Sequence, residues 1–224
     1  MKKLALSLIA FFALIFTNPL HAQVYSYLAL GDSYTIGEGV AEADRYPNQL
    51  VAMLNMDSLN VASPLIIART GWTTDELTKA IEERTDLAES YDLVTLLIGV
   101  NNQYRGRSVE EYEEQLAYLL ETAIKFAGGD NSRVFVISIP DWSVTPFAEG
   151  RNTDKAKVAK EIDQFNEVKK MLCEEYGVDY TEITEAYRAN GNEMVVADKL
   201  HPSKEIYQEW AAALAEKVKS RLTK

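Results

Sequence analysis

Two stretches, "DLVTLLI" at residues 92–98 and "RVFVISI" at residues 133–139, constrain this chain more than any other feature. Neither shows an alternating polar face. A strand half open to water alternates, whereas one covered on both faces is a continuous run of Val, Ile and Leu. Both runs are too short for typical helices, and the second stops at Pro140. They predict parallel strands buried beneath two layers of helices.

Around them, strand-like and helix-like patterns alternate along the chain. Residues 24–30 form a β-rich run ending at Gly31, and 46–54 carry apolar residues at helical spacing. Residues 59–68 read as extended, after which Thr73 or Thr74 can cap a helix through Ile81 and Leu87. An amphipathic helix is expected at 110–126, stopped by Gly128-Gly129, and another at 155–176, stopped by Gly177. A weaker strand at 178–183 precedes a last helix, opened by His201-Pro202-Ser203 and running to about Leu222. Five strands, each followed by a helix, give an α/β sheet that is mainly parallel with helices on both faces. In such sheets ligands bind beyond the carboxyl ends of the strands. That rule selects residues 31–39, 69–75, 99–107, 140–153 and 195–203 for chemistry.

The N-terminus has a different character. Lys2 and Lys3 precede an almost continuous apolar run at 4–16, and Asn18-Pro19 and Leu20-His21-Ala22 come after it. This is the layout of a cleaved secretory signal, and the run is short for a bilayer span. Residues 1–22 are therefore expected to leave a single mature domain at 23–224, exported to a periplasm or secreted, with no stable membrane anchor. The one cysteine, Cys173, allows no internal disulfide, and it lies in a helical apolar pattern that marks it as core or semi-exposed filler. The net charge is −11, and loss of the two lysines makes it −13, which disfavours nucleic acid as a partner.

Cofactor motifs fail at the first turn. In "GDSYTIGEG", Ile36 stands where a phosphate loop needs its second glycine, and Glu42 breaks the dinucleotide pattern begun at Gly37 and Gly39. With no cysteine pair and no His-x-x-x-His, a zinc site is not expected either. A hydrolytic site needs a nucleophile, a base, an acid to orient the base, and oxyanion donors. Of the two histidines, His21 departs with the signal, so histidine-dependent chemistry falls to His201. Asp198, three residues earlier in "ADKLHPS", can reach its Nδ1 and leave Nε2 free to accept a proton from a serine. Ser33 follows the first strand, Gly71 the second and Asn101 the third, so each can place an N–H at the same rim.

These blocks, "GDSYTIGEG", the glycine of "RTGWTTDEL", the asparagine of "IGVNNQ" and "DKLHPS", resemble in order the four signature blocks of the SGNH, or GDSL, hydrolases. The resemblance implies a flavodoxin-like three-layer α/β/α sandwich with a five-stranded, mainly parallel sheet. It further implies Ser33 as nucleophile, His201 as base and Asp198 as its orienting acid. The oxyanion donors would be the Ser33 N–H, the Gly71 N–H and the Asn101 amide. Two residues depart from the family pattern: Tyr34 replaces a leucine and Asn102 an acid; neither is expected to touch a catalytic atom, but Asn102 is expected to alter how the third loop is held. Asp32, too close to Ser33 to be the triad acid, is expected to tie down the turn.

Substrate choice falls to the strand-end loops, where Trp72, Tyr104, Arg105, Trp142 and Phe147 are candidate lining residues and 141–154 a candidate mobile edge. The expected activity is hydrolysis of small acyl esters, without cofactor or metal, on an acylated small molecule, lipid or sugar. A carbohydrate O-deacetylase or a lysophospholipase fits the same residues. From a different class, a non-catalytic glycan-binding module could use the same fold, though it has no need of serine, aspartate and histidine together.

Overall fold

The two apolar stretches form neighbouring strands in the computed structural model of the chain, which describes residues 23–223. Strand β3 is Leu93–Leu97 and β4 is Val134–Ile137, and every residue of both is buried. They pair in parallel, Thr95 opposite Phe135. Strand β1 (Tyr27–Asp32) lies on the other side of β3, with β2 (Leu65–Arg69) and β5 (Asp179–Thr181) at the two edges. The order β2-β1-β3-β4-β5 is wholly parallel, where the sequence pattern predicts a mainly parallel sheet. It is the flavodoxin-like order, whose winding reverses between β1 and β3, so the loops after those strands part and leave a crevice.

Helices α2 (Tyr46–Met56) and α9 (Lys204–Leu222) pair on one face. Helices α3 (Thr74–Glu82), α5 (Val109–Phe126) and α7 (Lys155–Tyr176) cover the other. Helix α3 begins where Thr73 donates its backbone N–H to Glu76 (3.0 Å), the capping arrangement expected there. It ends before Leu87, because Thr85 and Asp86 favour turns and Asp86 takes both arms of the Arg84 guanidinium (2.6 and 2.8 Å). The first strand is shorter than the β-rich run, since Tyr25 forms only an isolated bridge to Val61. A helix the sequence pattern does not predict, α8 (Thr184–Asn190), lies between β5 and the His201 loop.

Short helices start at or close to strand ends, α1 (Ser33–Ile36) after β1 and α4 (Val100–Tyr104) after β3, and α6 (Pro146–Glu149) follows in the longer segment after β4. The core is rich in large aromatics, with Tyr27, Tyr46, Tyr112 and Trp210 buried. Cys173 is buried with them, and burial pushes its thiol up to about 12, which suits filler and not a nucleophile. No helix among the described residues is long and apolar enough to cross a membrane. The expected signal segment, including His21, lies outside the described residues.

Candidate active site

Ser33 is the first residue of α1, one step past the end of β1, and is buried. Its N–H is among the helix-start donors that have no partner within their own helix. Asp32 precedes it as the cap, its carboxylate accepting from the Tyr34 N–H at 3.0 Å, so the acid does tie down the turn. Burial pushes the Asp32 carboxyl up to about 7, against the opposing pull of that bond and of the Lys169 charge.

His201 sits on the loop between α8 and α9. Asp198 folds back beneath it and accepts three bonds: from the Leu200 N–H (2.8 Å), the His201 N–H (2.9 Å) and His201 Nδ1 (2.6 Å). Partial burial raises the Asp198 carboxyl, but these bonds outweigh it and hold the group below its ordinary range. An ionised carboxylate at Nδ1 requires the proton on that nitrogen, which leaves Nε2 as a free acceptor.

Ser33, Gly71, Asn101 and His201 line one cleft of about 150 Å³, with Tyr34, Thr70, Val100, Tyr104, Trp142, Phe147 and Leu200 supplying the rest of its wall. Residues from the ends of β1, β2 and β3 thus meet the histidine loop at the crevice. Gly71 holds φ at +85°, and its carbonyl is turned away onto Arg105 (2.5 Å). The Asn101 amide donates to the Trp72 carbonyl at 3.0 Å and, more weakly, to Asp32 at 3.4 Å.

Of the candidate lining residues, Tyr104, Trp142 and Phe147 form an edge-to-face aromatic row, with centroids 5.3 and 6.1 Å apart. The Trp142 indole donates to Gln103 at 2.8 Å, which fixes its orientation. Arg151 lies over the Phe147 ring at 4.3 Å and donates to the Tyr104 hydroxyl at 3.1 Å. Two expected lining residues are elsewhere. A turn closed by the Trp72 N–H on the Arg69 carbonyl (3.2 Å) carries the Trp72 ring to the outer side of β2 and α3, beside Ile66 and Ala80. Arg105 reaches back to clamp the Gly71 carbonyl and Glu76 (3.1 Å), so it braces the turn without lining the cleft. The expected mobile edge at 141–154 forms helical turns tied to the site, the Phe147 N–H donating to the Lys199 carbonyl at 3.0 Å.

Tyr34 bears on the site more closely than the sequence suggests, while Asn102 holds the third loop, where an effect is expected. The Tyr34 ring packs against the His201 imidazole at 5.3 Å, so it touches the expected base. Asn102, fully buried, accepts from the Thr74 N–H (3.1 Å) and donates to the Thr74 hydroxyl (2.7 Å), which itself bonds to Gln115. The amide fills both roles while the Thr74 hydroxyl donates to Gln115, whereas a carboxylate could only accept and would require that hydroxyl to turn away from Gln115. Gly39, without a role in any phosphate motif, has φ +82° and faces Val196, whose Cγ2 would lie 2.5 Å from an added Cβ. It lets the histidine loop close onto the turn after α1.

A parallel α/β sheet with this cleft at its switch point defines the class: an SGNH-type hydrolase fold. A family model described as the GDSL-like Lipase/Acylhydrolase family matches residues 29–209, and the chain belongs to that family of carboxylic ester hydrolases. Solved structures share the fold. A lipase/acylhydrolase from Enterococcus faecalis is 20% identical, with 88% of this chain and 96% of that one covered, at a TM-score of 0.67. An acetylxylan esterase from Geobacillus stearothermophilus is 19% identical, covering 87% and 94%, also at 0.67. A psychrotrophic esterase from Pseudoalteromonas, in a structure inhibited by monoethylphosphonate, is 14% identical, covering 89% and 100%, at 0.65. No curated protein sequence matches the chain.

Proposed function

We propose that the protein hydrolyses small acyl esters through an acyl-enzyme on Ser33. The observation that carries this is the 2.6 Å pairing of Asp198 with His201 Nδ1, on a cleft that Ser33, Gly71 and Asn101 also line. His201 Nε2 takes the Ser33 proton as Oγ attacks the ester carbonyl, then returns it to the departing alcohol. Water, activated by the same nitrogen, attacks the acyl-enzyme and releases the acid. The carbonyl oxygen, negative in each tetrahedral intermediate, is met by the Ser33 and Gly71 N–H groups and the Asn101 amide. Of the two bonds Asn101 makes, the 3.4 Å contact to Asp32 is the weaker and the one an oxyanion replaces.

The size of the cleft supports short acyl groups. A cavity of about 150 Å³ accepts a guest of about six heavy atoms. An O-acetylated sugar is a second substrate in keeping with this, because the row from Tyr104 to Phe147 offers ring surface beside the nucleophile. The acetylxylan esterase among the structural neighbours is in line with it. The composition of residues 1–22 supports export to a periplasm or the exterior, with removal of that segment.

Ser33→Ala is expected to abolish hydrolysis of p-nitrophenyl acetate and labelling by a fluorophosphonate while the fold is retained. Turnover at the wild-type rate in that variant refutes the assignment. A protein that never labels and never turns over any ester would instead be a binding module. In a p-nitrophenyl ester series, acetyl to hexanoyl should be preferred to dodecanoyl.

A further inference from the structure

Lys169 stands in the middle of α7 with no solvent exposure at all. A lysine in such a place is unfavourable unless its ammonium is satisfied, and burial pulls it down from its ordinary value to about 7. A leucine or methionine would fill the same space without that penalty. The partners of the ammonium are therefore informative. It donates to the carbonyl of Ile98 at 3.0 Å and to that of Ile137 at 2.8 Å.

Those carbonyls mark the point where β3 and β4 part. The ladder between the strands runs to Leu96 opposite Val136, after which β3 and β4 no longer pair with each other, though Leu97 still pairs with β1 and Ile137 with β5. Helix α7 replaces the ladder. One turn before Lys169, Asn166 accepts from the Ile139 N–H (2.7 Å) and donates to the Ile139 carbonyl (3.0 Å). Lys169, a donor only, satisfies the carbonyls of Ile98 and Ile137.

The Ile98 carbonyl matters because it belongs to the peptide that leads into α4. Gly99 turns sharply at φ +125°, held against the Tyr112 ring, whose hydroxyl also donates to Ile98 (3.4 Å). Helix α4 then begins without any side-chain cap, and its second residue is Asn101. The Ile98–Gly99 peptide is thus the fixed point from which the Asn101 amide is aimed.

We propose that Lys169 is a positioning residue for the Asn101 oxyanion donor, acting through the Ile98 carbonyl. The inference rests on the assignment of Asn101 as donor. With that carbonyl released, the peptide turns and α4 shifts, and a displacement near 1 Å at a reacting group lowers a rate by about a hundredfold.

The test is a double-mutant cycle on the full chain with p-nitrophenyl acetate. Asn101→Ala alone should lower kcat by about 10²–10³. Lys169→Met should lower kcat at least tenfold with KM little changed, and this effect should shrink to less than about twofold in the Asn101→Ala background. Lys169→Gln, which keeps a donor without the charge, should recover part of the loss. Tyr112→Phe removes the second donor to Ile98 and gives a smaller loss with the same dependence on Asn101, so the cycle stands even where Lys169→Met does not fold. Equal losses with and without the Asn101 amide overturn the inference, as does a Lys169→Met protein of lowered melting temperature and unchanged kcat. If Asn101→Ala itself keeps wild-type kcat, the oxyanion assignment fails and the inference falls with it.

Discussion

Asp198→Asn isolates the role of the carboxylate more cleanly than truncation does. Asp198 uses one oxygen for the Leu200 and His201 N–H groups and the other for His201 Nδ1. In the asparagine variant the amide oxygen must stay on the two backbone donors, since an NH₂ there would face two N–H groups. The NH₂ then faces Nδ1, forcing that nitrogen to accept and Nε2 to carry the proton. That tautomer cannot take a proton from Ser33. Reaction requires breaking the new bond, about 0.5–1.5 kcal/mol for a hydrogen bond between neutral groups. The imidazolium also loses its counter-charge, and the Asp198 side chain is 41% exposed, so solvent reduces that loss to about 1 kcal/mol. Together these give about 1.5–2.5 kcal/mol, or about 10- to 70-fold in kcat for p-nitrophenyl acetate. The fold should be intact, because both backbone bonds survive. An Asp198→Asn protein with native circular dichroism and kcat within about threefold of wild type would refute the triad.

Three further outcomes rest on buried contacts. Gly39→Ala strains a φ of +82° and drives Cβ into Val196, so it should lower stability in urea by more than the 1–2 kcal/mol of the conformation alone and reduce kcat by displacing the His201 loop. Asn102→Asp, which restores the usual family acid, replaces a matched amide in a fully buried site and should lower the urea stability by about 1–3 kcal/mol. Asp32 holds its proton to about 7 when folded but releases it near 3.9 when unfolded, so the native state binds the extra proton between those values. Stability should therefore fall as pH rises from about 4 to 7, by at most about 4 kcal/mol from this group, and Asp32→Asn should flatten that slope. Lys169, lowered to about 7 from 10.5, acts with the opposite sign, adding stability as pH rises above 7. Urea unfolding measured at pH 5, 7 and 9 checks both signs.

Much of this architecture is visible in the sequence because burial on two faces leaves a compositional mark. The runs at 92–98 and 133–139 could only be central strands, and alternation placed their neighbours. Edges are fainter. Strand β5 is three residues long and only partly buried, so its pattern merges with the turns around it, and α8 is too short to show a period. The Asp198–His201 pair is legible for a different reason: His201 is the one histidine among residues 23–223, so a histidine-orienting acid had few places to stand. Trp72 and Arg105 turn away from the cleft, which the sequence does not reveal because position in a strand-end loop does not determine which way a side chain turns. That is decided by the Trp72–Arg69 bond and the Gly71 clamp, both set by tertiary structure.

The support beneath the site was written in α7 in a form that a search for charged motifs passes over. Its buried stripe runs Val158, Ile162, Phe165, Asn166, Lys169, Leu172 and Cys173, in phase with one face of the helix. Asn166 and Lys169 occupy positions the period reserves for apolar side chains. Among the surrounding lysines, Lys169 looks like part of a solvated face, but its phase in the helix puts it inside. A polar residue in phase with a buried stripe must find partners in the interior, and the nearest unpaired groups in a parallel sheet are the carbonyls where two strands diverge. That divergence, between β3 and β4, lies one strand over from the switch point between β1 and β3 that holds the site. In this fold, then, a polar residue in phase on a covering helix points to the strand ends around the active cleft, and the kinetic dependence of Lys169→Met on Asn101 measures how far that link reaches.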